Sequence, residues 1–359
     1  MSRERKKTTL RCAIIGTGRI GSRLEKDRLR EKPASHAGAI RATVGCTLVA
    51  GADKDREALT AFGTQWKLPP QALFTDPAQM LKEIEPDLLS IAADSESHIA
   101  LLDLCLEHKV PLIILEKPVA ETAAEAQEVL TRVEQAERAG TSRVVVNHER
   151  RFARDYRKLQ ELLENRTFGR LVSINARLYM GKTKTPARVL WHDGTHLVDI
   201  ISFLIGTWQI EGVHGDVDST DTPFCAIGKA TGGDTPLVIL DVSPGHDHLC
   251  FELEFNLEKG RIRCGNGVWE VWKSEPSPYY EQFRSLRLLS PLQRSFRGKT
   301  RYFANMMAHA AALARDPSMK NESSFADGAR ALAILDRIIS LSREATGTKG
   351  SGDVHTTGD

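Results

Sequence analysis

The chain has 359 residues, a length that predicts two domains rather than one small binding module. Apolar residues at 41% and charged residues at 27% describe an ordinary globular protein and exclude a disordered one. The 49 basic residues against 47 acidic ones leave a net charge of +2, which offers no electrostatic footprint for nucleic acid or an anionic membrane.

Along the first 150 residues, short apolar runs alternate with helical patterns. The runs are Leu10 to Ile15, Thr47 to Ala52, Asp87 to Ala93, Val110 to Leu115 and Arg143 to Val146. Each is nearly continuous in apolar residues and stops at glycine or a polar residue, as strands of a parallel sheet buried on both faces do. Ser97 to His108 and Glu121 to Ala139 read as intervening helices, which predicts a doubly wound α/β sheet. After Asn147 the texture changes. Ala153 to Asn165 has helical spacing, Leu171 to Tyr179 alternates as a half-exposed strand, and a helix runs from Gly194 to Gly206. Strand-like runs follow at Phe224 to Lys229, Leu237 to Val242, Cys250 to Leu257 and Val268 to Trp272, separated by glycine and proline turns. They predict an open, largely antiparallel sheet, closed by helices from about Thr300 to Ala314 and Ala326 to Arg343. The expected division is residues 1–148, residues 149–344 and a disordered tail at 345–359.

The six cysteines, Cys12, Cys46, Cys105, Cys225, Cys250 and Cys264, form no C-x-x-C pair. They read as reduced core residues of a cytoplasmic protein, not a disulfide framework or zinc site. No apolar stretch approaches a membrane span; the nearest, Leu197 to Gly206, is interrupted by Asp199. Met1 to Leu10 is basic and lacks the apolar block of a signal peptide.

Gly16-Thr17-Gly18-Arg19-Ile20-Gly21 is a G-x-G-x-x-G motif directly after the first predicted strand. Its glycines suit a tight turn, close approach of backbone to a pyrophosphate, and packing of helix on strand. The bland alternative is a structural glycine turn. The second strand ends in Asp53, whose carboxylate suits ribose hydroxyls and repels a 2′-phosphate, arguing for NAD over NADP. Lys54 and Arg56 soften that argument. Asp53 lies 32 residues beyond Gly21, against about 20 in the usual fingerprint. The excess is the charged stretch Arg23 to Ser35, read either as a solvated loop or as a lid or subunit contact near the phosphates.

Leu112 to Pro118 places Glu116-Lys117-Pro118 at the carboxyl end of a predicted strand, the edge that faces the ligand crevice in open α/β sheets. With the glycine motif, this tripeptide resembles the E-K-P signature of the Gfo/Idh/MocA oxidoreductases. Three further matches follow in order: Asp94 to His98, Asn147 to Phe152, which resembles the family's N-x-x-R-F segment with one residue more, and Asp193 to Asp199, which resembles its G-x-H-x-x-D helix start. The resemblance covers about Thr9 to Arg343 and implies a Rossmann domain followed by an α/β domain that covers the active site and often mediates oligomers. It implies hydride transfer between NAD(P) and a carbinol carbon, usually of a sugar, inositol or nucleotide sugar. It assigns Gly16, Gly18, Arg19, Ile20, Gly21, Asp53, Ala93, Asp94, His98, Glu116 and Lys117 to the cofactor. Lys117 matches the catalytic lysine and His196 the catalytic or substrate-binding histidine. Arg177, His192, Asp193, His196 and Lys117 would touch the substrate. No metal is expected.

One departure stands out. Many members carry Asp four residues before the histidine, where this chain has His192. A histidine there would share catalysis with Lys117 and His196, or Asp193 would take over if the backbone shifts. An ordinary lysine, with a pKa near 10.4, is a poor base, but desolvation and nearby positive charge favour the neutral amine that alcohol oxidation needs. His192, His196 and Asp199 at i, i+4 and i+7 are expected to share one helix face. The nearby Lys182, Lys184 and Arg188 either greet an anionic substrate or form a solvated basic loop. Three functions fit: an NAD-dependent sugar or polyol dehydrogenase, an NAD-using glycosidase or epimerase without net redox change, and a non-catalytic ligand sensor. The enzyme readings carry a homodimer or homotetramer as the expected assembly.

Overall fold

The computed structural model describes residues 9–180, 185–289 and 300–347. Lys182 and Lys184 lie outside the described residues, as does 348–359.

Six parallel strands form the first sheet: β1 (Leu10–Ile15), β2 (Cys46–Ala52), β3 (Leu73–Phe74), β4 (Leu88–Ile91), β5 (Leu112–Leu115) and β6 (Arg143–Val146), in the order β3-β2-β1-β4-β5-β6. The order reverses between β1 and β4, which creates the crevice where open α/β sheets bind ligands. Every residue of β4 and β5 is buried, as expected of strands with helices on both faces. The crossovers are α1 (His36–Ala42), α2 (Arg56–Trp66), α3 (Pro77–Ile84), α4 (His98–Glu107) and α5 (Ala123–Arg138). Side chains of Ser35, Asp55, Asp76 and Thr122 cap four of these helices by accepting from first-turn N–H groups.

The second sheet has eight strands in the order β14-β13-β12-β11-β7-β10-β9-β8. These are β7 (Leu171–Tyr179), β8 (Trp208–His214), β9 (Phe224–Ala230), β10 (Leu237–Ser243), β11 (Cys250–Leu257), β12 (Gly260–Gly265), β13 (Val268–Pro276) and β14 (Arg284–Leu288). Only β7 and β10 pair in parallel. β11 alternates buried and half-buried residues along its length, so one face packs and the other stays open. The remaining helices are α6 (Arg154–Glu164), α7 (Pro186–Val189), α8 (Thr195–Ile205), α9 (Tyr302–Arg315) and α10 (Phe325–Thr346). No described helix is long and apolar enough to cross a membrane. All six cysteines are free thiols, three of them buried.

The chain divides into two compact units, and the division is not a single cut. The described residues up to Ala153 join with Arg301–Arg330; those of Arg154–Thr300 join with 331–347. Where the sequence suggests one boundary at 148/149, the segment carrying α9 returns to the first sheet. Phe303, Met306, Met307, Ala310, Ala311 and Leu313 share a buried cluster with Leu10, Ile14, Ile40 and Leu88. The helix α10 runs to Thr346, beyond the 344 limit drawn from the sequence.

The glycine motif does not open a long helix. After Gly21 come a turn and a short 3-10 segment, Arg23–Lys26, before α1 starts at His36. Yet His36 N–H donates to Ile20 O at 3.1 Å and Ala37 N–H to Gly21 O at 3.0 Å. In an unbroken helix those acceptors belong to positions 24 and 25. Twelve residues are therefore looped out of a helix that closes again behind them. Removing 12 from the 32-residue interval leaves 20, so Asp53 sits at its ordinary structural place after all.

Candidate dinucleotide and substrate site

The three glycines are small for three different reasons. Gly16 has φ +89°, and a Cβ there would stand 2.5 Å from the carbonyl of Ala92, so the turn passes directly under the end of β4. A Cβ on Gly21 would stand 2.0 Å from Gly16 O, so the loop closes on itself. Gly18 faces open space: its Cβ would meet only Arg23 Nη2, at 3.9 Å. An opening above exposed peptide groups suits a phosphate, and the residues fit a dinucleotide. Beside it, Asp53 Oδ2 accepts from Thr17 N–H at 2.7 Å and Thr17 Oγ1 at 2.9 Å, and Oδ1 accepts from Asp55 N–H at 3.0 Å. Two oxygens with about four lone-pair sites keep capacity for ribose hydroxyls. Arg19 is exposed, and Ile20 packs against the core under the loop.

Lys117 follows β5 at the same carboxyl edge, and the Lys117–Pro118 peptide is cis. Its loop is fixed from two directions. His98, buried at the start of α4, places Nδ1 2.7 Å from Pro118 O and Nε2 3.1 Å from Ala93 O. Both partners are carbonyl acceptors, so either ring nitrogen can donate to the loop only through its N–H. On the other side, Glu116 is buried and its Oε1 lies 2.9 Å from His36 Nε2. The same oxygen accepts from Asn147 Nδ2, and Oε2 accepts from Lys117 N–H at 3.2 Å. Burial pushes the Glu116 carboxyl up, but the hydrogen bonds from His36 and Asn147 outweigh it and hold it below the usual range. An ionised Glu116 requires the proton of His36 on Nε2. His98 and Glu116 thus commit their side chains to the loop, leaving Lys117 half-exposed at the edge. Ala93 and Asp94 line the turn between β4 and α4, Asp94 exposed.

In the second unit, residues Leu190–Gly194 form a π-helical turn between α7 and α8. Such turns interrupt the α-helical register and are frequent at functional sites. Of the three histidine-helix residues, His192 is exposed in the π turn, while His196 is half-buried and Asp199 buried in α8. Asp193 is half-buried. Arg177 on β7 stands in register between Asp241 on β10 and Glu252 on β11, so two carboxylate-bearing positions flank it across the open face. Arg188 is exposed on α7.

Sequence reasoning missed His36 and Glu149. His36 opens α1, and nothing local in the sequence signals that it meets Glu116 eighty residues away. Glu149 lies in the short 3-10 turn Glu149–Phe152 that follows β6. Burial pushes its carboxyl up, while the charges of Arg150 and Lys117 pull it down and that of Glu116 adds to the rise. The N-x-x-R-F segment that contains it was the available signal. In that segment Arg151 is buried, pairs with Asp327 at 3.1 Å and donates to Glu322 O at 2.8 Å.

Residues 10–147 match the model of an oxidoreductase family with an NAD-binding Rossmann fold. Among curated relatives, inositol 2-dehydrogenase 2 of Paenarthrobacter aurescens is 29% identical over 257 residues, covering 67% of this chain and 72% of that protein. Inositol 2-dehydrogenase of Salmonella typhimurium is 25% identical over 201 residues, and the chain spans only 55% of its length. Among solved structures, the WlbA dehydrogenase of Bordetella pertussis, in complex with NADH and UDP-GlcNAcA, superimposes with a TM-score of 0.72 at 17% identity, covering 95% of this chain and 98% of that one. That likeness shows the fold.

Proposed function

We propose that the chain, whose residues 10–147 match the model of the Gfo/Idh/MocA oxidoreductases, moves a hydride between NAD and a carbinol carbon of a polyol or sugar. The curated relatives named for inositol oxidation support the substrate class. The observation that carries the reading is the placement of Lys117: its loop is pinned by His98 and Glu116 at the same sheet edge that holds the glycine turn.

Bound NAD supplies the hydride acceptor. Gly18 gives the pyrophosphate access to backbone, and Asp53 takes the adenosine ribose hydroxyls and disfavours a 2′-phosphate. Lys117 accepts the hydroxyl proton during oxidation and returns it during reduction, where its charge also steadies the forming alkoxide. His196, with His192, Asp193 and Arg177, is assigned to holding the substrate. The enzyme works in the cytoplasm as a homodimer or homotetramer.

The test is a panel of inositols, sugars and sugar acids with NAD, read at 340 nm. Net NADH formation is the expected result; turnover of substrate without it would favour the epimerase or glycosidase reading. Lys117→Ala is expected to bind NADH as the parent does and to lose at least a hundredfold in kcat, the order typical of a proton-transfer group. Full activity in that variant would discard the assignment.

A further inference from the structure

We propose that Arg23, carried by the looped-out segment, is a cofactor-binding residue that pairs with the dinucleotide's pyrophosphate. The inference rests on the dinucleotide reading of the glycine turn and deepens it.

The looped-out segment is built, not loose. Glu25 reaches back to its far end, accepting from Ala34 N–H and Ser35 Oγ, both at 2.9 Å. Room for that carboxylate depends on Gly38, where a Cβ would stand 2.1 Å from Glu25 Oε2. Lys32 Nζ donates to Leu24 O at 3.2 Å and Asp27 O at 2.6 Å. Glu31 accepts from Arg301 N–H at 2.6 Å, and Ser22 Oγ accepts from Trp66 Nε1 at 2.8 Å. The segment is therefore closed at both ends and tied to α2 and to the start of α9.

Those ties also use up its acidic groups. Glu25 and Glu31 are engaged as described, and Asp27 accepts from Leu29 N–H and pairs with Arg30 at 3.3 Å. Arg23 has no ion pair among the described residues and is exposed. Beyond the neighbouring residues Thr17 and Arg19, its Nη2 is the heavy atom nearest to the space above Gly18 among the described residues, 3.9 Å from where a Cβ would be. That space is the opening through which a phosphate meets the peptide groups. A guanidinium there matches a doubly anionic diphosphate in charge and in its forked donor geometry.

The test is equilibrium binding to the full chain, without turnover. Nicotinamide fluorescence follows NADH, and calorimetry follows ADP-ribose and adenosine. Arg23→Gln is expected to weaken NADH and ADP-ribose by about tenfold or more, as loss of a hydrogen bond to a charged group does, and to leave adenosine binding unchanged. Arg23→Lys should recover part of the loss, and the gap should narrow as salt rises. Equal NADH affinity in the parent and Arg23→Gln would overturn this inference while leaving the dinucleotide reading intact. A parent chain that binds neither NADH nor ADP-ribose would overturn that reading and this inference together.

Discussion

Glu116 is a carboxylate whose removal has a computable sign. It is buried, it accepts from His36, Asn147 and the Lys117 peptide, and its carboxyl is held below the usual range. Glu116→Gln keeps the shape but presents a donor where donors already converge, and leaving a buried donor without its acceptor costs about 1–3 kcal/mol. A group whose folded pKa is depressed contributes stability above its unfolded value and loses it as pH falls through the folded one. The melting-temperature gap between parent and Glu116→Gln should therefore be widest near neutrality and close as pH drops below the ordinary glutamate range, about 4.3. A gap that persists unchanged in acid would contradict the ionised state. Asp53 makes a second residue-scale prediction. Its carboxylate orders Thr17 and is proposed to take the ribose hydroxyls, so Asp53→Ser should weaken NADH binding and narrow the preference over NADPH, read as the ratio of the two dissociation constants. An unchanged ratio would remove Asp53 from cofactor selection.

At the scale of elements, two departures from regular helix decide local function. The first helix of the nucleotide unit is interrupted by twelve residues yet retains its register through the bonds of His36 and Ala37 to Ile20 and Gly21. This is why His36 is available to Glu116: the residue that restarts the helix also braces the loop of Lys117. The second departure is the π turn at Leu190–Gly194. It places His192 and Asp193 in surroundings that α-helical spacing does not predict, and so frees the missing aspartate's place from the usual i, i+4 relation to His196. If the π turn matters to the substrate, His192→Asp should change KM more than it changes NADH affinity. A shift in NADH affinity instead would remove His192 from the substrate side.

For the molecule as a whole, the nucleotide unit is discontinuous in sequence. α9 contributes Phe303, Met306, Met307 and Leu313 to the core under β1 and β4, His36 meets the Phe303 ring edge-on at 5.0 Å, and Asn305 Nδ2 donates to Phe152 O at 2.9 Å. Burying such side chains stabilises by about 1.5–3 kcal/mol each. A fragment ending at Ala153 should therefore expose an apolar surface, bind ANS and unfold without cooperativity. The full chain should unfold cooperatively through this unit. A cooperative, ANS-silent fragment would show that α9 is dispensable.

Five of the six strands of the first sheet, the glycine turn and Glu116-Lys117-Pro118 were legible because their signals are local: continuous apolar runs, a spacing of glycines, a tripeptide at a strand end; the two-residue β3 is too short to leave such a run. The open second sheet was legible from alternation, although β8, β12 and β14 were not: Gly260–Gly265 offers only Ile262 and Cys264 between arginines and glycines, and Arg284–Leu288 carries little apolar pattern. What the tertiary structure alone decided are relations between distant residues. Hydrogen bonds that skip twelve residues, a histidine meeting a glutamate eighty positions on, and a helix from beyond residue 300 completing the first core leave no periodicity in sequence. Pattern in a chain records which face of an element is buried; it does not record against what.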